Sequence, residues 1–65
     1  MKIIFVSKSP KQTVITIQKG SSDYEVHLYN HDSGYTEVWT TAKDYEGAAY
    51  FHKQLCMKCG ITTNM

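Results

Sequence analysis

The residues with the most chemistry in them lie near the end of the chain. His52, Cys56 and Cys59 follow the spacing His-x3-Cys-x2-Cys, which on a helix places three soft ligands on one face. A structural zinc site takes four ligands, usually with a second Cys or His pair elsewhere, and only His27 and His31 remain to supply one. The same three positions also continue an apolar stripe, where a reduced cysteine behaves as a small hydrophobe. Packing is therefore their expected role, with a zinc-stabilised mini-domain as the third reading of the chain. Redox or nucleophilic work fits less well. A thioredoxin-like pair uses the helix N-terminus to lower a thiol pKa, whereas Cys56 and Cys59 fall at the C-terminal end, where the dipole raises it. His52 and Cys56 are adjacent at i, i+4 but have no evident oxyanion hole.

Other constellations carry less. Glu25 and Glu37 face each other across a hairpin in one register, yet on an open sheet both stay solvated and near their ordinary pKa. Gly20, Gly34, Gly47 and Gly60 are isolated, so no Gly-rich phosphate loop exists. The expectation is a chain without catalytic residues, metal or cofactor. Its five tyrosines and single tryptophan point instead to recognition. Rings on an exposed sheet stack nucleic-acid bases when a basic groove accompanies them, but the strands bearing Tyr29 and Tyr35 are the acidic ones. That pairing suits a protein partner, where Tyr combines large area with few rotors.

These residues need elements to position them. A chain of 65 residues leaves roughly 40% of its surface exposed on folding, enough for one small domain and too little for an enclosed cleft. Strands are expected over 2–7, 12–19, 23–30 and 35–40, from β-branched and alternating residues bounded by Pro10, Gly20 and Gly34. From Thr41 the period becomes 3.6. Tyr45, Ala48, Ala49, His52, Leu55, Cys56 and Cys59 form one face of a helix over about 42–59. Thr41 with Asp44 resembles a capping box, and Gly60 followed by Ile61 a Schellman-type stop. A tail follows over 62–65. The expected fold is α+β: a four-stranded antiparallel meander, ββββα, with the helix on one face, in two layers.

One face of such a sheet is left open. His27 and Tyr29, with Glu25, point away from Val26 and Leu28 and become candidate partner-binding residues. A second candidate surface is the outer side of the helix, where Tyr50 and Met57, with Phe51 at the margin, offer a seat for a partner or a second copy. Trp39 has two placements. A three-residue hairpin loop sets it beside His27 on the open face; a two-residue loop sets it beside Leu28 under the helix, which the need for large core side chains favours.

Charge divides the chain. Lys2, Lys8, Lys11 and Lys19 precede residue 23 with no acid among them, and Asp23, Glu25, Asp32 and Glu37 follow with no lysine before residue 43. Neighbouring segments of a meander lie side by side, so a basic flank and an acidic flank are expected. All seven cations are lysines, and the lack of arginine forks argues against sequence-specific nucleic-acid reading. The leading expectation is a non-enzymatic protein-interaction module, a small stand-alone regulator or inhibitor of a larger protein, of a size that fits bacterial or phage accessory proteins. A homodimer is compatible with it. The alternative is weak nucleic-acid binding through the N-terminal lysines. The longest aliphatic or aromatic run, Ile3 to Val6, spans four residues, far short of the roughly twenty a membrane helix needs. A cytoplasmic location without membrane contact is expected.

Overall fold

A computed structural model describes residues 1–63; the last two residues of the tail expected over 62–65 lie outside the described residues. Four strands, β1 (Lys2–Lys8), β2 (Gln12–Gly20), β3 (Asp23–Asn30) and β4 (Tyr35–Ala42), precede one helix, α1 (Tyr45–Cys59). The strands form one antiparallel sheet in chain order, β1-β2-β3-β4. The helix packs on one face, giving the two-layer α+β arrangement that the change of period from two to 3.6 implies.

Alternation decides which face is covered. Val14, Val26 and Leu28 point toward the helix and meet Leu55, Cys56 and Ile61 in one buried cluster. Burying each of the larger side chains stabilises the fold by about 1.5–3 kcal/mol. The helix ends as its sequence requires: Gly60 adopts φ 68°, its N–H reaches Met57 O at 3.3 Å, and Ile61 N–H reaches Cys56 O at 2.8 Å. This is the Schellman pattern, and it folds Ile61, 5% exposed, back into the core.

The helix begins later than its period alone implies. Thr41 and Ala42 belong to β4, paired with Glu25 and Tyr24, so Thr41 does not cap. Asp44 does, its carboxylate accepting from Gly47 N–H at 2.6 Å. Extended backbone pairing at residues 41 and 42 outcompetes a first helical turn there. Tyr45 also departs from the expected buried stripe: it is 55% exposed, its ring resting on Phe5 at 5.4 Å.

Neither expected hairpin register occurs between β3 and β4. Asn30 pairs with Tyr35 across the four residues 31–34, and Gly34, at φ 69°, returns its N–H to Asn30 O at 2.9 Å. Leu28 then sits opposite Glu37 and His27 opposite Val38, after which a bulge restores Val26 to Thr40. Trp39 is the extra residue, and the bulge turns it toward the helix side, where it packs half-buried against the core. Glu25 and Glu37 consequently never face each other, because their partners are Thr41 and Leu28.

Candidate functional site

The His/Cys stripe is an internal polar joint. His52 is fully buried, with Nε2 2.9 Å from Ser7 Oγ and Nδ1 2.7 Å from Thr16 Oγ1, so the helix is tied to β1 and β2 through one ring. Neutral imidazole donates from one nitrogen and accepts at the other, and hydroxyls serve either role. Burial lowers the His52 pKa, favouring that neutral form. Cys56, one turn on, is also fully buried. Burial pushes its thiol pKa up, opposed by a hydrogen bond with Ser7 and reinforced by Cys59. A desolvated thiol with a raised pKa is a poor nucleophile and a poor metal ligand. Among the described residues no group of three or more His, Cys, Asp or Glu is placed to hold a metal. Ser7 and Thr16 had no motif to mark them as the partners of His52.

The six candidate recognition residues separate onto opposite sides of the molecule. Glu25, His27 and Tyr29 lie on the open face, across which three rows run: Ile3–Ile17–Glu25–Thr41, Val6–Ile15–His27–Val38 and Lys8–Thr13–Tyr29–Thr36. His27 Nε2–H donates to Glu25 Oε1 at 3.0 Å, and Lys19 Nζ donates to Glu25 Oε2 at 3.4 Å. The His27 hydrogen bond, aided by Lys19, holds the Glu25 carboxyl below its ordinary range. Beside this polar knot Ile3, Val6 and Val38 are exposed apolar side chains, while the row of Lys8, Thr13, Tyr29 and Thr36 is mostly polar.

Tyr50, Phe51 and Met57 lie on the helix side. Tyr50 meets Phe51 edge-on at 5.5 Å, and Phe51 meets Trp39 edge-on at 6.5 Å. A chain of three rings thus runs from the outer surface of α1 to the bulge in β4, with Phe51 half-buried at its centre. Tyr50 is 58% exposed and Met57 70%, and their seven-residue separation stacks them on one helix flank. Trp39 is the member of this ridge that alternation alone could not place.

At one end of the sheet the turns are clamped together. His31 Nδ1–H donates to Pro10 O at 3.1 Å, and Nε2 of the same ring is hydrogen-bonded with Thr13 Oγ1 at 2.7 Å. Gln12 Nε2 donates to Asn30 Oδ1 at 2.9 Å beside it. The shallow depression there, about 330 Å³, is flanked by Lys11 and Asp32, which cancel in charge. The four N-terminal lysines do not share a face: Lys8 and Lys19 flank the open side, Lys2 aligns with Gln18 on the helix side, and Lys11 sits in the turn. No helix among the described residues is long and apolar enough to cross a membrane.

Set against known proteins, the chain matches no family model, no curated protein and no solved structure.

Proposed function

We propose that the chain is a non-enzymatic protein-interaction module, a small cytoplasmic regulator that inhibits or redirects a larger protein by docking an apolar segment of it onto the Tyr50–Phe51–Trp39 ridge. The observation that carries this reading is the ladder of edge-on rings ending at a bulge. Bulges re-aim side chains where regular alternation would hide or misdirect them. Tyr, Trp and Met are the types enriched at the buried centre of protein interfaces, and Tyr50 and Met57 offer theirs with little to lose in solvation. Two free cysteines, one of them buried, suit the reducing compartment assigned here. As an accessory protein of a bacterium or phage, such a module would act by occupancy alone.

The test is quantitative affinity capture from a host lysate with the native chain, a Y50A variant and an H27A/Y29A variant. Y50A stays folded, since the ring is exposed, and should reduce capture of the larger partner at least about tenfold, the effect of losing an aromatic hot spot worth about 2 kcal/mol. Capture that survives Y50A and disappears with H27A/Y29A would move the docking site to the open sheet face and defeat the ridge.

A further inference from the structure

The open sheet face is polarised by charge, and three of the four residues of its middle row, Val6, Ile15 and Val38, are apolar. The β1–β2 hairpin carries Lys2, Lys8, Lys11 and Lys19 and no acid, while the β3–β4 hairpin carries Asp23, Glu25, Asp32 and Glu37 and no lysine. Because strand order follows chain order, one half of the sheet is basic and the other acidic. Lys8, Lys19 and Glu25 are on the face itself, Asp23, Lys11 and Asp32 lie at the ends of its strands and in its turns, and Lys2 and Glu37 belong to the helix side. Between them Ile3, Val6 and Val38 stand 61%, 46% and 51% exposed.

We infer that this face is a homodimer interface: a second copy packs on it, sheet to sheet, about a two-fold axis parallel to the strands. Two identical sheets packed face to face have two simple choices of axis. An axis across the strands lays β1 over β1 and sets each basic hairpin on its own kind. An axis along the strands reverses the strand order, so β1 covers β4 and each basic hairpin covers an acidic one. The second choice also matches the apolar row to itself, with Val6 opposite Val38 of the second copy and Ile15 opposite its His27. Four strands about 4.8 Å apart and seven residues long at about 3.3 Å rise project to roughly 450 Å². Two such faces, roughened by side chains, reach the roughly 1,000 Å² at which specific interfaces begin. Aligned sandwiches pack their sheets in this way, about 10 Å apart. The ridge on the helix side stays free in this dimer, so the inference stands or falls separately from the docking of a larger protein.

Sedimentation equilibrium of the full chain tests it. The mass should rise to twice 7.4 kDa as concentration increases, and V38K, on an exposed position, should keep native circular dichroism while raising the dissociation constant about 30-fold, because it sets an unpaired ammonium against Val6 of the second copy. Cross-linking with a short bis-maleimide in a C59S background reads the axis: V6C/V38C should link between copies, and V6C alone should not. A monomer up to about 500 µM, or a dimer indifferent to V38K, overturns the interface. Efficient linking of V6C to itself overturns the axis and with it the charge argument.

Discussion

A histidine with no exposed surface and a hydroxyl at each ring nitrogen makes the fold sensitive to protons. Burial lowers the His52 pKa from its ordinary 6.5, so above about that pH both folded and unfolded chains hold the ring neutral and its contribution to stability is complete. Below it the unfolded chain takes up a proton that the folded one refuses, and stability falls as pH drops toward the depressed value. The thermal midpoint should therefore decline from pH 7 to pH 5 in the native chain and lose most of that slope in H52L. At pH 7.5, H52L should itself cost about 2 kcal/mol or more, because the buried Thr16 hydroxyl loses its partner. Glu25 acts in a lower window: its pKa is held below 4.5 by His27, so its contribution is present above about 4.5 and lost as pH falls further. The two faces of β3 separate in the same way. V26A and L28A should each cost about 2 kcal/mol or more, and H27A/Y29A together about 1 kcal/mol, read by urea denaturation. Spacing alone marks His52 as a member of the buried stripe and marks Val26 and Leu28 as core. It is silent on Ser7 and Thr16, which approach His52 across 45 and 36 residues of chain, because no local period encodes so distant a contact.

Elements were legible where one physical signal dominated and illegible where two competed. The Gly60–Ile61 stop follows from residue type, since only glycine takes φ 68° without cost; G60A should destabilise by about 1 kcal/mol. At the other end the sequence pattern marks Thr41 as the cap with Asp44 as its partner three residues on, and sheet pairing of residues 41 and 42 moves the cap to Asp44. D44A should then cost about 1 kcal/mol, seen as a lower urea midpoint. Gly47 offers a sharper check. Replacing a helical glycine by alanine ordinarily stabilises by about 1 kcal/mol, but a Cβ on Gly47 would come within 2.9 Å of Asp44 Oδ1. G47A should show none of that gain in the native chain and recover it in a D44A background. Trp39 was ambiguous for a different reason: the strand period is two, so one extra residue inverts every assignment beyond it. Its place near the helix agrees with the reading that favoured the core, though a bulge puts it there rather than a two-residue turn.

For the molecule as a whole, the polarity of charge is the property that the order of charged residues along the chain shows and net charge conceals. A formal charge of +1 describes a near-neutral protein, while the sheet has a basic and an acidic half. The lysines fall on both sides of the sheet and in a turn, so a phosphate backbone finds no continuous track. Binding to single- or double-stranded DNA should accordingly be no tighter than roughly 10⁻⁵ M at physiological salt and should vanish with added salt, as a fluorescence anisotropy titration would show. The bulges in β1, between Ile3 and Phe5, and in β4, at Trp39, occupy both edges of the sheet. A flat, unbroken edge is what lets strands of one molecule recruit those of the next without limit, and here both templates are broken, one of them also flanked by lysines. Growth along the hydrogen-bonding direction is thereby blocked at either side. Prolonged incubation of concentrated protein at neutral pH should leave thioflavin fluorescence at baseline, and straightening β4 by deleting Trp39 should be the change that releases fibre formation.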